Sequence, residues 1–225
     1  MTSVGVRDEE LKSTGYEIFI GFLSILTILN VALIYLADDP NLDTVIYTLN
    51  GLFSLIFLGD FTYRLFTSDS KSRYFLQEFG WADLLASLPF PQAKVLRIFR
   101  LMRVFRLLRG YGIKGIARSL VADRAGSALF TLLVMGILVL EFGSLWILHL
   151  EQYAPDANIT SASDALWYVI VTISTVGYGD QFPVTDTGRV VGSSIIIIGV
   201  GIFGTFTGYL ANLFLSPAKE RERQA

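Results

Sequence analysis

Apolar residues run in long uninterrupted stretches along this chain instead of alternating with charge. Ile18 to Ala37 and Val190 to Leu215 each extend twenty residues or more without a charged side chain, enough to cross a bilayer core of about 30 Å as a helix. The first predicted span is Tyr16 to Ala37, and Asp38-Asp39-Pro40-Asn41 after it reads as a turn. A second runs from Thr44 to Phe66 with Asp60 and Arg64 in its last third. A weaker stretch, Phe79 to Phe90, holds Asp83 and stops at Pro89-Phe90-Pro91. From Lys94 to Arg109 a cation recurs at every third position with two apolar residues between, until Gly110-Tyr111-Gly112 breaks the pattern. Ile113 to Arg124 then reads as an amphipathic connector lying on the membrane surface. Ala125 to Leu150 is another long span, interrupted by Glu141. After a polar loop from Glu151 to Ser163 comes a half-length apolar segment, Asp164 to Ser174, then Thr175-Val176-Gly177-Tyr178-Gly179-Asp180 and the final span. The pattern predicts an all-α membrane protein of six transmembrane helices and one re-entrant half-helix.

Composition agrees: 52% of the 225 residues are hydrophobic and 17% charged, where soluble domains carry about 25% charged residues. The chain has no cysteine and a single histidine, His149, which excludes disulfide scaffolds, thiolate metal sites and most imidazole chemistry. The net charge of −2 says little, but the placement of the cations says more. With the N-terminus inside, Arg7, Lys12, Arg64, Lys71, Arg73, Lys114, Arg118, Arg124, Lys219, Arg221 and Arg223 fall on the inner side and only Arg189 outside. That bias follows the positive-inside rule and requires the weak third stretch to cross as well. The expected location is a cell membrane with both termini cytoplasmic, residues 1–15 forming a short lead and 216–225 a tail.

In Thr175 to Asp180, glycines at alternate positions open backbone dihedrals closed to other residues, so that successive carbonyls can face one axis and replace water around a dehydrated cation. Thr-Val-Gly-Tyr-Gly resembles the selectivity filter of potassium channels, and the preceding half-helix fits that context. The resemblance implies ion sites formed by the carbonyls of Thr175, Val176, Gly177 and Tyr178, the Thr175 hydroxyl at the inner end, and potassium as permeant ligand with no prosthetic group. It also implies that Trp167 and Asp180 brace the filter from behind. Val171 stands where some relatives have a buried glutamate, and Tyr168 replaces a second tryptophan common in the family, which bears on filter rigidity and inactivation.

Lys94, Arg97, Arg100, Arg103, Arg106 and Arg109 give one helix face a cationic stripe. Such a helix can lie on the inner surface against anionic lipid, but here it has to join an outer loop after Phe90 to an inner connector. Each arginine in lipid costs about 2.5 to 3.5 kcal/mol, so partners are needed. Asp60 and Asp83 supply them, or else cap helix ends. Phe57, Asp60 and Arg64 repeat the spacing found in the second helix of the voltage-sensor family, and Asp83 matches the acid of its third helix. Asn50 stands where similar sensors often carry an outer glutamate.

The last span is rich in glycine. Gly199 aligns with the gating hinge of similar channels, while Gly204 and Gly208 read as a small-residue packing face. Glu141 is a candidate functional carboxylate or an interhelical hydrogen-bonding group, His149 an interfacial residue, and Asn158-Ile159-Thr160 a glycosylation pattern. The whole resembles a voltage-gated potassium channel subunit and not an enzyme. It implies a voltage-sensor domain of four helices over 16–112, a connector over 113–124, and a two-helix pore domain over 125–215 that assembles as a homotetramer, because one filter segment is a quarter of a carbonyl ring. The expected partners are further copies of the chain and the bilayer, with anionic lipid at the sensor and no nucleic acid. The other reading consistent with the sequence is a potassium channel with a fixed basic fourth helix, gated by lipid or ligand.

Overall fold

The computed structural model describes residues 3–68, 70–77, 80–87 and 124–222. They are helical except for the connecting segments: α1 is Ser3–Ala37, α2 Pro40–Thr67, α3 Lys71–Gln77, α4 Gly80–Ser87, α5 Arg124–Glu151, α6 Ala162–Ile173 and α7 Asp186–Glu222. The chain forms two compact units, Met1–Ser127 and Ala128–Ala225. Among the described residues, four stretches are long and apolar enough to cross a membrane: Gly15–Ala37, Pro40–Thr67, Leu129–Glu151 and Asp186–Asn212. The basic segment 94–109 and the connector 113–123 lie outside the described residues, as do 88–90 of the third predicted span.

In the first unit, α1 and α2 pack as a hairpin, with α4 against α2. Asp38 takes a left-handed φ of 46° and ends α1 in the manner of a helix C-terminus. Asp39 then caps α2, its Oδ1 accepting from the backbone N–H of Asn41 at 2.9 Å and Leu42 at 3.4 Å. Pro40 follows at the first helical position, where its missing N–H costs nothing. The expected four-residue turn is therefore only two residues long, because capping draws Pro40 and Asn41 into the helix. Leu42, Val45, Ile46, Leu49, Phe53, Phe57 and Phe61 make one buried stripe on α2 at helical spacing. Asn50 and Asp60 lie on the same stripe, so the fold buries both polar side chains with the core.

The second unit hangs a short helix between two long ones. The last turn of α5 reaches Glu151, beyond the predicted span, and α6 begins at a capping box: Asp164 N–H donates to Ser161 Oγ at 3.3 Å and Ser161 N–H to Asp164 Oδ2 at 3.0 Å. At 12 residues, α6 is about 18 Å long, too short to cross. Ser144 on α5 donates to the Ala165 carbonyl at 3.4 Å, and α6 packs along α7. The final helix starts four residues before the predicted span and runs past Leu215 and through Pro217 to Glu222.

Candidate functional site

The segment after α6 owes its shape to the last turn of that helix. Thr175 N–H donates to the Thr172 carbonyl at 3.1 Å, and the N–H groups of Val176 and Gly177 both donate to the Val171 carbonyl, at 3.1 and 3.2 Å. Three successive amides thus point back into α6. In a trans peptide the N–H and the preceding carbonyl point opposite ways, so the carbonyls of Thr175 and Val176 face away from the helix. Positive φ angles occur at Thr175 (60°), Gly177 (59°) and Gly179 (78°), with Val176 and Tyr178 outside that region. Alternating handedness of this kind sets successive peptide dipoles side by side, and glycine supplies it without a Cβ penalty at two of the three positions. The third is a threonine, whose left-handed backbone the sequence does not announce.

Side chains secure the C-terminal end of the segment. Trp167 Nε1 donates to Asp180 Oδ2 at 2.7 Å. The Trp167 ring also stacks on Tyr178, with centroids 5.7 Å apart and planes within 9°. Trp167, Tyr178 and Asp180, the first and last 13 positions apart, therefore form one brace. Tyr168 points the other way and is buried against α7: a Cβ added at Gly192 would lie 2.6 Å from its hydroxyl oxygen.

Two further residues fasten the stretch leading from this segment to α7, and the sequence reading assigned them no such role. Glu151 is fully buried; its carboxylate accepts from Val184 N–H at 2.7 Å, Thr185 N–H at 3.1 Å and the Thr185 hydroxyl at 2.6 Å. Asn158 Oδ1 accepts from Phe182 N–H at 3.0 Å, which gives this side chain a structural use inside its glycosylation pattern. Nothing in one sequence links Glu151 to residues more than thirty positions on.

Gly199 meets α6 directly: a Cβ there would sit 2.8 Å from the Ile173 Cα. Close packing accordingly accounts for the glycine at the predicted hinge. Among the described residues, Gly204 and Gly208 have nothing within 4 Å of a built Cβ, so none of these residues covers the small-residue face. Glu141 is completely buried in α5, one turn from Ser144, and His149 is exposed.

In the first unit, Phe57 and Asp60 are buried on α2, and Asp83 is buried on α4. Asp60 accepts at Oδ1 from Arg64 Nε at 2.9 Å and from the Tyr16 hydroxyl at 2.8 Å. Arg64 also pairs through Nη2 with Glu17 on α1, at 2.5 Å. Glu17 had a visible signal, being an acid at the threshold of an uncharged apolar run. Lys94, Arg97, Arg100, Arg103, Arg106 and Arg109 lie outside the described residues.

Membrane-length helices flanking a short helix, followed by a backbone segment whose amides tie back to that helix, are the layout of a membrane transport protein. The chain belongs to the ion transport protein family, which it matches over residues 13–222, a family of channels and not of enzymes. Its relatives include a voltage-gated potassium channel of Aeropyrum pernix, 33% identical over 181 residues, covering 75% of this chain and 60% of that protein. Potassium voltage-gated channel subfamily KQT member 1 of Xenopus laevis is 25% identical over 246 residues, covering 95% of this chain and 38% of the relative. KQT member 4 of Homo sapiens is 33% identical over 96 residues, 43% of this chain and 14% of its own length. The chain therefore spans less than two thirds of each of these relatives.

Proposed function

We propose that the chain is the subunit of a homotetrameric, potassium-selective channel whose opening is set by membrane voltage. The observation that carries this reading is the backbone of Thr175 to Gly179, where three amides tied to α6 turn the Thr175 and Val176 carbonyls away from it. Carbonyls of Thr175, Val176, Gly177 and Tyr178, one set from each of four chains, then complete the coordination of a dehydrated potassium ion. Trp167 and Asp180 hold the strand against the inward pull of the cation, and α6 acts as the re-entrant pore helix.

The remaining layout is part of the same proposal. Residues 16–112 are a four-helix voltage sensor, 113–124 the connector and 125–215 the pore, in a six-span chain with both termini cytoplasmic. The basic segment 94–109 carries the gating charge, Asp60 and Asp83 balance it, and anionic lipid borders it. Support for assembly comes from α7: only 17% of its most apolar window is buried, against 39 to 50% in the other three membrane-length stretches. Its Val190, Ile197 and Val200 are exposed, a face suited to lipid and to neighbouring copies.

Purified protein in planar bilayers with opposed potassium and sodium gradients tests the reading. The current should reverse near the potassium potential and vary with voltage. Gly177→Ala should abolish selectivity or conduction, because φ is 59° there and a Cβ opposes that conformation. Reversal near the sodium potential overturns the assignment. A potassium current flat across voltage favours the fixed fourth helix instead.

A further inference from the structure

The buried residues of α7 are few and fall in line. Among its described residues they are Gly188, Gly192, Ile195 and Gly199, which at about 100° per residue lie within roughly 60° of one another around the helix. Each meets α5 or α6. A Cβ at Gly188 would fall on the Glu151 carboxylate, one at Gly192 would lie 2.6 Å from the Tyr168 hydroxyl oxygen, and one at Gly199 would lie 2.8 Å from the Ile173 Cα. Ile195 Cδ1 comes within 3.2 Å of a Cβ built at Gly143 on α5. Both neighbouring helices therefore grip one stripe of α7, and no described residue of α7 beyond Gly199 is buried.

The helix weakens just past that grip. Gly201 is exposed, with nothing within 4 Å of a built Cβ among the described residues, and glycine is the poorest helix former apart from proline. The Thr205 hydroxyl donates to the Gly201 carbonyl at 2.7 Å, a back-bond that loosens and bends helices. Ser193 and Ser194 bond in the same way to the carbonyls of Arg189 and Val190, but inside the half that the stripe holds. We propose that α7 works as two parts. Through Gly199 it belongs to the fixed frame of the Thr175 to Asp180 segment; beyond, the turn from Gly201 to Thr205 is the pivot on which its second half moves to open and close the conduction path. The inference rests on the channel reading proposed above. It places the pivot two residues after Gly199, the position that aligns with the hinge of similar channels, because bending at Gly199 would press α7 on the backbone of Ile173, two residues before Thr175.

The test is the open probability of single channels of the full chain in planar bilayers, read at one fixed voltage. Gly201→Ala stiffens the turn and Gly201→Pro bends it, so the two should displace the open probability in opposite directions. The alanine effect should reach about fivefold in the open-to-closed ratio per subunit, the ratio of the two residues' helix preferences. Thr205→Val loses the hydroxyl and keeps the shape, and should act in the direction of Gly201→Ala. Adding Val200→Gly to Gly201→Ala returns a glycine to the turn and should restore the wild-type value. A packing role for position 201 predicts instead that alanine and proline displace the open probability the same way, and that result, or a value unmoved by Gly201→Ala, overturns the inference. If Gly201→Pro does not assemble, Thr205→Val still decides, since a shift opposite to that of Gly201→Ala overturns the pivot. Wild-type protein that passes no potassium current overturns the channel reading, and the pivot with it.

Discussion

Thr175 keeps a left-handed backbone that disfavours a β-branched residue by about 1 to 2 kcal/mol, and its hydrogen bond to the Thr172 carbonyl holds it there. Strain at one end of the Thr175 to Asp180 segment makes the fastening at the other end matter more. Trp167 to Asp180 is a hydrogen bond to a carboxylate, a class worth about 1.5 to 3 kcal/mol. Trp167→Phe removes the donor but keeps an aromatic ring for Tyr178 to stack on, so it isolates the bond. The expected result is a potassium-selective current that decays faster during a maintained opening voltage, read from macroscopic current traces. Asp180→Asn, whose amide oxygen still accepts from the indole, should give a smaller change of the same sign. Equal and unchanged decay in both variants would mean that the bond bears no load.

At the scale of the helices, legibility followed the range of the interactions. The apolar run of α2 and the short α6 were legible because their causes lie within a few residues, but the sequence reading passes over the Ser161 to Asp164 capping box and starts the helix two residues late, at Asp164. The same locality explains the boundary errors: an aspartate at position 39 and a proline at 40 spell a helix start, and the turn reading overlooked the cap. Glu151 and the seat of Tyr168 at Gly192 depend on chain segments that meet only after folding, and one sequence carries no mark of them. Gly199 shows both cases, since its smallness was visible and its reason was not. A methyl group there would press on the backbone of Ile173, two residues before the filter, whereas Gly201 has nothing within 4 Å of a built Cβ. Gly199→Ala should therefore lower the thermal midpoint of the purified channel and reduce its current, because backbone cannot yield as a side-chain tip can. Gly201→Ala should leave the midpoint of the isolated fold unchanged or raise it, alanine being the better helix former by about 1 kcal/mol. Thermal unfolding of both variants in one detergent, with bilayer currents alongside, separates packing at position 199 from a general need for glycine in α7.

At the scale of the whole channel, the field across the membrane has to compete with the preference of the protein for one conformation. Moving one elementary charge through the potential is worth about 2.3 kcal/mol per 100 mV, so three or four charges in each of four subunits give roughly 28 to 37 kcal/mol. The gap between two functional conformations is typically a few kcal/mol, and the field decides which is populated if the cations of segment 94–109 cross it. In the proposed assembly four chains supply both this sum and a closed ring of filter carbonyls, so mass measurement in detergent should give four subunits per particle. Neutralising Arg97, Arg100, Arg103 or Arg106 to Gln should shift the conductance–voltage curve or lower its slope, with Arg100 and Arg103 most effective on the slope, being central in the stripe. Arg109 should matter less if, as proposed, it lies at the inner end and stays in water or headgroups throughout. Asp60→Asn removes an acid that α2 buries and leaves Arg64 with Glu17 as its partner, so passing arginines lose a counter-charge and gating should be hindered. Curves unmoved by all four arginine replacements would make the basic helix a fixed element and transfer control of the gate to lipid or ligand, while the filter would still select potassium.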